Sequence, residues 1–287
     1  MSAAASYATL IGAQELAQHL DDPDWVIFDC RHDLANGDFG RDVYARAHLP
    51  GARFLHLDED LSGPMTGTNG RHPLPDPVAL AQRLARAGVG NDTQVIAYDD
   101  AGGMFAARLW WLLRWLGHHR VAVLDGGLIA WCEAAQALTA EVPRATPATF
   151  TVALQPGVVN ASYVLDHLGR PDMLLVDARS PDRYRGENET LDPVGGHIPG
   201  AINRFFRDNL GAHGRFKQAS VLREEFGTLL KGSDARRVVH QCGSGVTACH
   251  NLLAMESAGL TGSRLYAGSW SEWCADPARP IATGPGS

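Results

Sequence analysis

Basic residues are outnumbered in this chain: 25 Lys and Arg stand against 32 Asp and Glu, a formal net charge of −7. A protein that coats nucleic acid needs the opposite balance, so that class is set aside, although a local basic pocket is compatible with the total. Long apolar runs are missing too. The most apolar stretch, Leu109 to Leu116, is short and broken by Arg114, so no membrane span or membrane partner is expected. Met1 to Leu20 has no basic start followed by an apolar core, and no signal peptide is expected from it. Cysteine is scarce. Five residues, an odd number at scattered spacing, suit reduced thiols in the cytoplasm better than a disulfide framework. No group of ligand residues has zinc or iron spacing, so no metal or other cofactor is expected.

What is present is an ordinary globular composition, 45% apolar, over 287 residues, enough for one large domain or two of usual size. In the first half, Ala13 to Leu20 reads as a short helix and Trp25 to Asp29 as a buried strand. A polar loop then leads to His48-Leu49-Pro50-Gly51-Ala52 and a Gly/Pro-rich excursion from Ser62 to Pro77. Pro77 to Ala87 and Ala106 to Leu116 read as helices, Gln94 to Tyr98 and Val121 to Leu124 as strands. The second half repeats these blocks in order, between 142 and 149 residues later. Leu175-Val176-Asp177-Ala178-Arg179 echoes Ile27 to Arg31, and His197-Ile198-Pro199-Gly200-Ala201 echoes His48 to Ala52. Val238 to Cys242 echoes Val95 to Asp99, and Gly268 to Cys274 echoes Gly126 to Cys132. The chain is therefore a duplication, with domains at 1–140 and 157–287 joined by a linker at 141–156. Strands alternating with helices in each copy imply α/β domains, each an open, mostly parallel sheet with helices on both faces.

The stretch His240-Gln241-Cys242-Gly243-Ser244-Gly245-Val246-Thr247 falls between a strand end and a helix predicted over Val246 to Ala258. Two glycines allow successive loop N–H groups to turn inward around the sulfur, and the helix adds its positive end. Both favour a thiolate or an anion attached to it, which marks Cys242 as a nucleophile. The first copy has Asp99 at that position, where a carboxylate cannot do sulfur chemistry, and it is expected to be silent.

The Asp-x-Arg strand ends, both His-[Leu/Ile]-Pro-Gly-Ala turns, Asp99 opposite Cys242 and the Trp273 terminus resemble the tandem rhodanese-like sulfurtransferases over nearly the whole chain. The loop Cys242 to Thr247 is similar to that of the 3-mercaptopyruvate sulfurtransferases, whereas thiosulfate enzymes usually place Arg and Lys after the cysteine. The resemblance implies that a sulfur atom passes from the donor to Cys242 as a persulfide, then to a thiol acceptor such as a thioredoxin-like protein, or to cyanide. It implies a proton relay of Asp58, His72 and Ser244, and a donor-carboxylate clamp at Arg183. Gly243, Gly245, Val246 and Thr247 line the loop, with hydroxyl donors at Ser244 and Thr247. Mercaptopyruvate enzymes also carry a second arginine before the Gly-His-Ile-Pro-Gly turn, and Glu187 to Gly195 contains none. Thiosulfate is the alternative donor. A Cys-based phosphatase needs an arginine six residues after the cysteine, where this chain has Ala248, and a non-catalytic module would have lost the nucleophile from both copies. His48 and His197, repeated in both copies, read as structural, and Cys249 as core.

Overall fold

The protein, a computed structural model, is described over residues 6–286. Strands β1 (Leu10–Ile11), β2 (Trp25–Asp29), β3 (Arg53–Phe54), β4 (Gln94–Tyr98) and β5 (Val121–Leu124) form one five-stranded sheet in the order β1-β5-β4-β2-β3. Strands β6 (Val158–Val159), β7 (Leu174–Asp177), β8 (Ile202–Asn203), β9 (Val238–Gln241) and β10 (Arg264–Tyr266) form another, β6-β10-β9-β7-β8. Every pairing is parallel, and the two orders are the same permutation, as a duplicated sequence requires. The alternation of strand and helix read from the sequence is therefore realised twice.

The chain divides into two compact units, and not in chain order. One holds the residues up to Ser62, Pro75–Gln155 and Ala212–Phe216; the other holds Gly63–Leu74, Pro156–Gly211 and the residues from Lys217 on. The Gly/Pro-rich excursion of the first half thus folds with the second sheet, which departs from bounds at 1–140 and 157–287. Within that second unit the Arg71 N–H donates to Ser271 Oγ at 3.1 Å, a bond between residues 200 apart in sequence.

Strands β4 and β9 are buried along their whole length, as in a parallel sheet covered on both faces. In the first unit Leu16, Leu49 and Trp131 pack against Ile27, Ile96 and Ala122; in the second, Trp270 and Trp273 pack against Val159, Leu175 and Val239. A buried Leu or Ile contributes roughly 2 kcal/mol by leaving water, so these layers hold the strand ends from which the loops spring. The stretch before His48, read as a polar loop, contains a helix, Phe39–Arg46. Only Gly40 and Tyr44 of it are buried, too thin an apolar stripe to show as a helical period.

The repeated Asp-x-Arg pairs are buried clamps. Arg31 Nε and Nη2 donate to Asp29 Oδ2 at 2.9 and 2.6 Å, and Nη2 also to the Ala47 carbonyl. Arg179 does the same with Asp177 and the Gly196 carbonyl. Asp29→Ala is expected to lower unfolding free energy by about 3 kcal/mol, because it leaves a buried guanidinium unpaired, and denaturant titration reads that loss. His48 and His197 stack on Tyr44 and Tyr184 and bond to those residues' carbonyl oxygens, so both are structural. No helix among the described residues is long and apolar enough to cross a membrane.

Candidate active site

Strand β9 ends at Gln241, and the helix that follows the loop spans Thr247–Ser257. Cys242 lies between them, at the carboxyl edge of a parallel sheet, where such folds place their ligands. The thiol is 2% exposed, and the Gly245 N–H donates to its Sγ at 3.1 Å. Gly245 can do this because its φ is +80°; a Cβ there would lie 2.3 Å from the Ala267 carbonyl oxygen. Two loop carbonyls are held from the other side. The N–H groups of Trp270 and Ser271, at the start of the helix Ser269–Trp273, donate to the oxygens of Cys242 and Gly243 at 3.0 and 2.9 Å. These bonds fix the peptide planes around the sulfur. Val246 is buried beside the loop, and Thr247 opens the helix half-buried.

Ser269 supports the loop and escaped the sequence reading. Its Oγ accepts the Cys242 N–H at 3.1 Å and donates to the Tyr266 carbonyl at 2.9 Å. Its φ is +55°, the value held by Gly127 at the same place in the first copy. A serine aligned with a glycine of the repeat, in a conformation that favours glycine, was the available signal.

The first copy shows what such a loop can hold. Asp99 accepts four main-chain N–H groups, from Ala101 and Gly103 on Oδ1 and from Phe105 and Ala106 on Oδ2, at 2.8 to 2.9 Å. Burial still pushes this carboxyl above its usual range, against the pull of those donors. A strand-to-helix loop of this fold is thus an amide cradle for an anion attached to its first residue.

Ser244 and His72, 7% and 6% exposed, meet in the second unit: Ser244 Oγ and His72 Nδ1 are 2.7 Å apart, 172 residues apart in sequence. Arg183 also reaches the loop. Its Nη2 would be 3.5 Å from a Cβ on Gly243, and Nε and Nη2 donate to the two oxygens of Glu189 at 3.0 and 2.8 Å. Burial pushes Glu189 up, but the Arg183 guanidinium and the Leu191 and Asp192 N–H groups outweigh it and hold the carboxyl below its usual range. Burial pulls the Arg179 guanidinium down, but Asp177, Glu189 and the Cys242 sulfur hold it above its ordinary value. His240, two residues before Cys242, is fully buried, with Nε2 3.1 Å from Met255 Sδ. Burial lowers it to about 3, so it stays neutral at neutral pH. Cys249 donates its thiol to the Gly245 carbonyl and is core, as read, and none of the five cysteines is in a disulfide.

Asp58 belongs to the first unit, half-exposed, with Oδ2 3.9 Å from His32 Nε2 and 4.0 Å from His56 Nδ1. Among the described residues these three are a group whose ligand atoms lie within 4.8 Å of one another. The lone pair on His56 Nδ1 already accepts the Asp58 and Glu59 N–H groups, and Nε2 faces the Gly37 carbonyl. A metal at Nδ1 would have to displace the two N–H groups it accepts, so the trio is not built as a metal centre.

Known proteins resemble this chain in both sequence and fold. Residues 12–134 and 160–276 each match the rhodanese-like domain. Over 97% of its length the chain is 50% identical to the Pseudomonas aeruginosa protein named "Probable 3-mercaptopyruvate sulfurtransferase", covering 99% of it. It is 35% identical over 81% of its length to mouse thiosulfate sulfurtransferase, covering 79% of that protein. Its fold is similar to the crystal structure of SseA from Escherichia coli, a 3-mercaptopyruvate sulfotransferase, with a TM-score of 0.80, 31% identity, and 92% and 99% of the two chains covered.

Proposed function

We propose that this chain, which belongs to the rhodanese-like family and is a sulfurtransferase with two copies of that domain, takes its sulfur from 3-mercaptopyruvate and carries it as a persulfide on Cys242. The observation that carries the donor assignment is the 2.7 Å contact between Ser244 and His72 beside the nucleophile loop. Thiosulfate brings no proton to lose. A donor thiol does, and it needs a route for that proton.

In the first half-reaction the Cys242 thiolate attacks the donor sulfur and an S–S bond forms. The C–S bond breaks with its electron pair going to carbon, where the neighbouring carbonyl stabilises it as an enolate. The thiol proton leaves sulfur through Ser244 and His72, and one proton returns to the enolate carbon to give pyruvate. In the second half-reaction an acceptor thiolate, on a small thiol or a thioredoxin-like protein, or cyanide, bonds to the outer sulfur and frees the Cys242 thiolate. The persulfide is an anion, and the Gly245 N–H at the sulfur, with the four-amide cradle around Asp99 as its counterpart, supports its retention. Five cysteines with no disulfide among them support a reducing compartment, and we place the enzyme in the cytoplasm.

His72→Gln is expected to lower kcat/KM with 3-mercaptopyruvate about 10²-fold while transfer from thiosulfate stays near wild type. Ser244→Ala should show the same split. Equal losses with both donors would take the pair out of proton transfer and return thiosulfate as the better reading. Asp58→Asn tests the relay member that the family resemblance supplies: a donor-selective loss keeps it, and unchanged kinetics removes it.

A further inference from the structure

The stretch Glu187 to Gly195 contains no arginine, yet a second guanidinium does reach the loop in the second unit. Arg71, next to His72 in the Gly63–Leu74 segment, places Nη2 2.9 Å from where a Cβ on Gly243 would be, on the side approached by Arg183 at 3.5 Å. Its main chain is held by Ser271. One carboxylate joins the two arginines: Asp192 accepts Arg71 Nη1 through Oδ1 and Arg183 Nη2 through Oδ2, the latter at 3.4 Å. The side chains of Asp192 and Glu189 are 3% and 4% exposed, whereas Arg183 and Arg71 are 20% and 28% exposed. Buried carboxylates thus hold two partly open guanidinium groups over the residue that follows the nucleophile.

We propose that Arg71 is the second arm of the donor's carboxylate site, beside Arg183, and that Asp192 sets its charge so that a monoanionic donor is accepted in preference to a dianionic one. Two guanidinium groups over two carboxylates form a neutral set, which gains little from a second negative charge on the ligand. A fork-shaped cation already oriented by a buried carboxylate loses little freedom when a donor carboxylate meets its open edge. The identity of the monoanion rests on the donor reading above; the part of Arg71 in anion binding rests on its geometry alone.

The test is steady-state kinetics of the full-length protein with each donor. Pyruvate serves as a competitive ligand that has the carboxylate but no sulfur, and thermal unfolding confirms that each variant is folded. Arg71→Met should raise KM for 3-mercaptopyruvate and Ki for pyruvate about 10- to 100-fold, with kcat changed far less. Arg71→Lys, which keeps the charge without the fork, should fall between, and it carries the test if the methionine variant does not fold. Asp192→Asn should raise the ratio of kcat/KM for thiosulfate over 3-mercaptopyruvate about 10-fold. Folded Arg71 variants with unchanged KM and Ki would overturn the assignment of Arg71, and an unchanged ratio in Asp192→Asn would overturn that of Asp192. Wild-type preference for thiosulfate would instead remove the donor reading and the monoanion selection. Arg71 would then stand or fall on the KM for thiosulfate.

Discussion

Cys242→Ser is expected to lose sulfur transfer from either donor, by at least about 10³-fold in kcat/KM. The hydroxyl is a far weaker nucleophile than a thiolate, and an oxygen at that position cannot hold a second sulfur as a stable anion. Stability should change little, since the substitution is nearly isosteric and Ser269 still accepts the main-chain N–H of residue 242. Two measurements check it together. Initial rates report turnover, and intact-mass spectrometry after exposure to each donor reports loading. Wild type should gain the mass of one sulfur atom, mapped to Cys242, and the serine variant none. Retained transfer in the variant would move the nucleophile elsewhere.

Gly245→Ala is expected to be the most damaging change that touches no reactive atom. At φ +80° an L-residue is strained by about 1–2 kcal/mol, and its Cβ would lie 2.3 Å from the Ala267 carbonyl oxygen, a main-chain atom held in place next to β10. The loop must shift, and the N–H that meets Cys242 Sγ shifts with it. Loss of an aligned main-chain donor at a developing anion costs about 10²-fold or more in rate, so activity should fall by that order while the sheets stay folded. Gly51→Ala is the control. Its φ is +74° and nothing lies within 4 Å of its added Cβ, so it carries the backbone strain without the clash. It should lose stability and keep activity. Full activity in Gly245→Ala would mean that the amide at the sulfur contributes nothing to transfer.

Much of the Cys242 loop is legible in the chain because its geometry is local. A buried strand, a cysteine, Gly-x-Gly and a helix in succession leave few conformations, and the helix Thr247–Ser257 falls within a residue of its expected bounds at each end. The repeat is legible for a different reason. Two copies of Asp-x-Arg and of the His-[Leu/Ile]-Pro-Gly-Ala turn make the same buried contacts, and so retain the same residue types. The helix Phe39–Arg46 is not legible, since two buried positions set no period.

Gly243 and Ser244 are neutral, and the cations over them come from elsewhere in the chain: the fold brings Arg71 and Arg183 to Gly243, with Asp192 and Glu189 as counterions. Those partners lie 121 residues apart for Arg71 and Asp192, and 172 for His72 and Ser244. Periodicity and turn chemistry act over a few residues and therefore specified the strands, the doubling and the cysteine on its turn. Which distant side chains meet over that cysteine depends on the segment Gly63–Leu74 folding with the second sheet, and that is an outcome of packing between residues with no local signal of each other.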